Sequence, residues 1–339
     1  MKNRHIIIYT LCFYISSFVY LHNEWKLIKY ACVIYLLFFI LSRKVLLLRE
    51  YRRLNVILCV FSLVVIISGV LSDMKYGHFV WHVDVTSSIL LTTQVIVLFG
   101  YVEYIISHGL QRLFVRQFMN ILGICLIIAD FGIFYNLNNI IDSTEVNYVV
   151  GNKFALSYSH ILFCAILFSY RQFSQLISVA LISYCAIISK LVYCTTGLIG
   201  AVVFIILMLG RNTFGRLLYK RIFLYLCMLG SVFFALFISV IQNMEWYNNF
   251  LSLIGESSSI NGRSTIYAQL VDIINGDPFW GYGNGNQQNY VEYYTGIGNA
   301  QNGILSNIIN WGFIGTFMFM MIPWFIFGMC KNRHSNYFL

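Results

Sequence analysis

Between Gln242 and Asn302 lies the only long polar stretch of this 339-residue chain, and it holds an arginine placed where an anion could bind. From Ser264 to Asn275, the residues Ile266, Leu270, Ile273 and Ile274 recur at spacings of four, three and one, the apolar stripe of an amphipathic helix. Asn261 or Ser264 suits its N-cap and Gly276 its end. Arg263 then stands at a helix N-terminus, where the macrodipole disfavours a cation unless an anion lies between the guanidinium and the open N–H groups. A guanidinium snorkelling to lipid phosphate accounts for the same residues equally well. Past the helix, Asp277-Pro278-Phe279-Trp280-Gly281-Tyr282-Gly283-Asn284-Gly285 has the composition of a turn, with glycines that let backbone approach a ligand closely. Trp280, Tyr282, Tyr290, Tyr293 and Tyr294 supply flat faces of the kind sugars stack against; an interfacial aromatic belt would use the same residue types.

These residues need a scaffold, and composition says which kind. The chain is 59% hydrophobic and 10% charged, with mean hydropathy +0.74, against about 25% charged residues in soluble domains. We therefore expect an all-α polytopic membrane protein: one integral membrane domain over residues 1–339, with 242–302 as a large extracytoplasmic loop between the last two spans and its amphipathic helix at 264–275. Apolar runs predict about ten transmembrane helices, at 5–22, 26–42, 54–72, 85–106, 114–135, 154–170, 174–190, 196–210, 222–241 and 303–330. Lys2 and Arg4 precede the first as in a signal peptide, but no small-residue cleavage site follows, so it reads as a retained helix.

Charge orients the bundle. With the N-terminus inside and alternating spans, 16 of the 22 basic residues fall on the inner side, among them Arg49, Arg52, Arg53, Arg112, Arg116, Arg211, Arg216, Lys220 and Arg221. By the positive-inside rule both termini are cytoplasmic and the long loop faces out. The formal charge of +9 is thus a topology signal spread over short connectors, which argues against nucleic acid as a partner. The nine cysteines lie within spans or at an edge, with no Cys-x-x-Cys, so neither a disulfide framework nor a zinc site is expected. No Walker A loop, dinucleotide fingerprint or His-Glu-x-x-His occurs, which excludes ATP-driven transport and zinc proteolysis as readings of this chain. His78 and His82, four apart with Asp84 following, have metal-like spacing but no convincing third ligand, and no metal or other cofactor is expected. Asp130, inside a span, is a functional candidate by default. His160 lies on the same helical face as Lys153, about 10 Å deeper, where it lines a cavity or is satisfied by a neighbouring helix.

Taken in order, Arg263 with a following helix, the Asp-Pro-Phe-Trp-Gly-Tyr-Gly turn, Ala300-Gln301-Asn302 opening the next span and Trp311-Gly312-Phe313-Ile314-Gly315 resemble the O-antigen polymerase and ligase superfamily, the Wzy and WaaL proteins. Gly151-Asn152-Lys153-Phe154 with Ser157-Tyr158-Ser159-His160, and Thr195-Thr196-Gly197-Leu198-Ile199-Gly200, add to the likeness, which covers about residues 145–330. These motifs resemble the capsular polysaccharide polymerases of Gram-positive cocci in particular.

The resemblance implies an outer-face glycosyltransferase that joins repeat units carried on undecaprenyl pyrophosphate, donor and acceptor both lipid-linked, with neither ATP nor metal. A chain-length regulator and a flippase of the same pathway are the expected partners beside membrane lipid. Displacement at an anomeric carbon needs cations on the departing diphosphate. Arg263 and then Lys153 are the candidates, with Asp277 and Glu256 leading for proton transfer ahead of Asp272, Glu292, His78, His82 and His160. Gln301, Asn302, Trp280, Tyr282, Gly281, Gly283 and His160 are the candidate substrate contacts. Gln301 stands where the ligases carry histidine, and an amide cannot take a proton. That favours a polymerase over a ligase; a non-enzymatic flippase is the third reading, with no internal repeat to support it.

Overall fold

A computed structural model describes residues 3–17, 26–45, 49–79, 82–136, 148–170, 173–210, 221–241, 244–245, 249, 263–296 and 302–333. The side chains of several helical residues in these ranges, including Arg263, are outside the description. Glu256 and Gln301 lie outside the described residues altogether.

Helix follows helix, and among the described residues no strand occurs. In chain order they are α1 (Asn3–Ser17), α2 (Lys26–Ser42), α3 (Arg52–Tyr76), α4 (Val85–Ser107), α5 (Gln111–Tyr135), α6 (Lys153–Tyr170), α7 (Gln175–Leu191), α8 (Thr195–Leu209), α9 (Arg221–Ile241), α10 (Arg263–Gly276), α11 (Gln287–Thr295) and α12 (Gly303–Arg333). Long apolar runs form helices here because a helix satisfies its own backbone groups, the only solution open to a single segment in lipid. Among the described residues, α3, α4, α5, α6 and α12 are long and apolar enough to cross a membrane; α1, α7 and α8 are apolar but shorter.

The chain divides into two compact units. The first comprises Met1–Val45 and Val97–Leu217. Its core joins Tyr14, Phe118, Leu122, Leu126, Leu156 and Ile188, so α1, α5, α6 and α7 meet there. Aromatic rings fill the space beside it, with Tyr9 and Phe39 centroids 4.2 Å apart and Phe39 meeting Tyr104 edge-on at 4.8 Å.

The second comprises Leu46–Ile96 and Leu218–Leu339. Here α3 lies along α12, with Phe61 edge-on to Trp311 at 5.4 Å. Ile266, Tyr267, Leu270 and Ile273 are buried along one side of α10, packed with Tyr282, Tyr290, Leu305 and Ile309, while Val271 is exposed. α12 is not one continuous helix: Gly312 has φ 64° and ψ −173°, so two helical segments meet there.

Candidate active site

The break in α12 organises the second unit. An α-helix bonds each N–H to the carbonyl four residues back, so a break at Gly312 strands the carbonyls of Ile309 and Asn310 and the N–H groups of Phe313 and Ile314. The glycine turn takes up three of the four. Tyr282 N–H donates to the Ile309 carbonyl (2.8 Å), Phe313 N–H donates to Pro278 (2.8 Å) and Ile314 N–H to Phe279 (3.3 Å). The fourth, the Asn310 carbonyl, faces the Ser68 hydroxyl of α3 at 3.1 Å, and that hydroxyl also reaches the Trp280 carbonyl at 2.5 Å. Each such group left buried and unpaired would cost about 1–3 kcal/mol, so turn, break and α3 form one interlocked structure.

Glycine is required on both sides of this joint. Gly312 and Gly281 (φ 69°) both have left-handed backbone, which other residues adopt at a cost. A Cβ on Gly281 would lie 2.5 Å from the Gly312 nitrogen, and one on Gly312 would fall on the Phe279 carbonyl. The close approach that these glycines permit is therefore between two stretches of the protein's own backbone.

The end of α3 clamps the rest of the turn. Ser72 donates to the Tyr282 carbonyl, and Lys75 Nζ lies 2.6 Å from Asp277 Oδ2, with the lysine half-exposed and the aspartate 7% exposed. Asn286 is fully buried; it accepts from Val83 N–H (2.7 Å) and donates to the Val83 and Tyr282 carbonyls (both 2.8 Å), tying the α3–α4 connector to the turn. Asn284 links Ser87 of α4 (2.8 Å) to the Trp311 indole N–H (3.3 Å).

Tyr282 and Tyr290 are buried, with ring centroids 3.9 Å apart and Tyr76 beside both. The Tyr282 hydroxyl donates to the Ile273 carbonyl at 2.7 Å. Burial pushes both phenols above their ordinary range, and the neighbouring Tyr76 adds to the shift. Their faces are spent on each other. The exposed rings of this region are Phe279, Tyr293 and Tyr294; Trp280 is half-buried.

Arg263 is the first residue of α10 and Asp277 follows its last. Fourteen residues make a helix roughly 20 Å long, so these two candidates stand at opposite ends of one element. Asn302 caps α12, accepting from the N–H groups of Ile304 (3.1 Å) and Leu305 (3.2 Å), and donates to the Ser231 carbonyl of α9 at 3.0 Å.

Lys153 and His160 belong to the first unit. Asn152 caps α6 through Ala155 N–H at 3.1 Å, and Lys153 Nζ lies 5.8 Å from the centre of the Phe154 ring. His160 is buried with both ring nitrogens engaged: Nδ1 is 3.0 Å from the Leu156 carbonyl and Nε2 3.2 Å from Asp130 Oδ2, which also accepts from Tyr184 at 2.6 Å. The two motifs of this unit meet directly, Tyr158 donating to Thr196 at 3.3 Å. A Cβ on Gly197 would lie 2.5 Å from Ser157 Cβ.

Sequence reasoning missed Ser68, Ser72 and Lys75, although their spacings of four and three mark one polar stripe on an otherwise apolar helix. Nothing local to Asn286 distinguishes it from the other asparagines of its loop.

Residues 177–320 match the Wzy_C family model, described as O-antigen ligase. That interval contains α10, the glycine turn and the break in α12; it leaves out Lys153, His160 and α3. No curated protein and no solved structure matches the chain.

Proposed function

From its place in the O-antigen polymerase and ligase superfamily, carried by residues 177–320, we propose that this membrane protein polymerises repeat units at the outer face of a bacterial cytoplasmic membrane. The family acts on lipid-linked glycans as glycosyltransferases; the finer reading is a polymerase for oligosaccharides on undecaprenyl pyrophosphate. The observation that carries it is the glycine turn seated in the break of α12, inside the matched interval and following directly on the helix that Arg263 opens.

In this reading the chain crosses the membrane about ten times with both ends inside, and the 242–302 segment meets substrate outside. A growing glycan on its diphosphate lipid is the donor, and one lipid-linked repeat unit is the acceptor. The acceptor hydroxyl attacks the donor's anomeric carbon as the diphosphate leaves, a single displacement that inverts the centre. Arg263 holds the diphosphate at the α10 N-terminus, where open N–H groups add to the positive field. Lys153, which belongs to the first unit, remains the second candidate for a cationic role. Asp277, gripped by Lys75, keeps the turn in register, and Glu256 stands in reserve for proton transfer. Gln301, Asn302 and Trp280 are the proposed sugar contacts, with Gly281 and Gly283 shaping the turn that carries Trp280. No cofactor is needed, because the diphosphate ester supplies the driving force.

Mass spectrometry of lipid-linked glycans in a strain lacking this gene tests the proposal. Single repeat units accumulating without polymer support a polymerase. Long lipid-linked polymer left untransferred would mean a ligase instead, the reading that Gln301 in place of histidine disfavours.

A further inference from the structure

We infer that Asp73 and His82 form the proton acceptor of the transfer reaction, with His82 Nδ1 as the atom that takes the proton. The inference rests on the glycosyltransferase reading above and adds a base where Gln301 cannot serve as one.

Three observations carry it. Asp73 is fixed at both oxygens: Oδ1 lies 3.0 Å from His82 Nε2, and Oδ2 accepts the N–H of Val85, which opens α4, at 3.0 Å. A carboxylate so placed holds the Nε2–H tautomer of the neutral ring and leaves the lone pair on Nδ1. The His82 side chain is 3% exposed, and its Nδ1 is buried without a hydrogen-bond partner. A polar atom left so is destabilising and calls for an explanation; a base whose partner is substrate supplies one. Finally, the dyad is built onto the turn. The residue after His82, Val83, is gripped at both backbone groups by Asn286, which also holds the Tyr282 carbonyl.

His160 and Asp277 are less suited. The former has both ring nitrogens engaged, and the latter lies against the Lys75 ammonium. His82 differs from both in offering an unshared acceptor atom.

In the step itself, the acceptor's sugar hydroxyl gives its proton to Nδ1 while its oxygen bonds to the donor's anomeric carbon. The bond from that carbon to the diphosphate oxygen breaks, and its electron pair leaves on the polyprenyl diphosphate. The imidazolium, stabilised by Asp73, then passes the proton to the departed diphosphate.

The test uses the full-length protein in proteoliposomes with an undecaprenyl-pyrophosphate-linked repeat unit as donor and acceptor. His82→Gln is expected to lower kcat by about 100-fold or more with little change in KM, and added imidazole to restore at least about tenfold. His82→Gln activity within about tenfold of the parent, or a loss that imidazole leaves unmoved, overturns the assignment. If His82→Gln fails to accumulate in the membrane, Asp73→Asn decides. As a positioning residue it is expected to lower kcat by about tenfold at constant KM, and an unchanged kcat overturns the dyad. A parent protein that forms no glycosidic bond from this substrate removes the polymerase reading and the dyad together, a result separate from failure of the variants alone.

Discussion

Gly281 and Gly312 meet backbone to backbone, close enough that a Cβ on Gly281 would stand 2.5 Å from the Gly312 nitrogen. The contact joins a turn in the polar segment to the middle of the last apolar helix. It explains why α12 can break in an apolar setting: broken backbone is tolerated there only where protein re-satisfies the freed groups.

Alanine at Gly312 is therefore expected to destabilise the protein by about 1–3 kcal/mol from backbone strain, and by more through displacement of the turn. Gly303→Ala is the control, since a Cβ there meets nothing within 4 Å. Thermal unfolding of the detergent-solubilised proteins checks this; equal midpoints for the two variants would contradict it.

Replacing Lys75 by methionine leaves the Asp277 carboxylate buried without its cation. Because the lysine is half-exposed, the attraction itself is screened, and most of the expected loss of about 1–3 kcal/mol is the stranded carboxylate. Adding Asp277→Asn to Lys75→Met should recover most of that loss. A double variant no more stable than Lys75→Met alone would show that the pair contributes differently.

Arg263→Ala should leave the protein in the membrane and lower polymer formation by about 100-fold or more, the scale for removing one charge-stabilising donor. Normal polymer from a membrane-inserted variant would remove Arg263 from the site.

Anomeric configuration offers an independent check. NMR of the inter-repeat linkage, compared with the lipid-linked donor, is expected to show inversion. Retention would rule out a single displacement.

Stability should fall in alkali. Burial holds the Tyr282 and Tyr290 phenols above their ordinary range, so the folded chain keeps protons that the unfolded chain releases once pH passes about 10. The folded state then binds more protons than the unfolded one, and stability, full below that pH, declines as pH rises through it. Thermal midpoints followed from about pH 9 to about pH 11 should drop, and less steeply for Tyr282→Phe. An equal slope in both proteins would exclude Tyr282 as a source.

Which segments become helices was legible in the chain, because hydropathy summed over about 20 residues is a local quantity that lipid selects directly. The helix expected at 264–275 runs from Arg263 to Gly276, since its apolar spacing and the closing glycine are local as well. The turn glycines were legible only as places where backbone comes close to something. That the something is α12, and that Ser68 reaches Trp280 across 212 residues of chain, follows from which helices lie side by side. The same holds for His160, whose sequence position allows a cavity ligand while the fold surrounds it with Leu156 and Asp130. His82 likewise acquires Asp73 as a fixed partner and an unshared Nδ1 only when the connector closes on the turn. Sequence by itself determined the apolar helices, the placement of Arg263 at a helix start and the turn after it. Tertiary structure decided which polar groups are spent and which remain to act, because a hydrogen-bonding group's partner is set by what packing brings within about 3 Å.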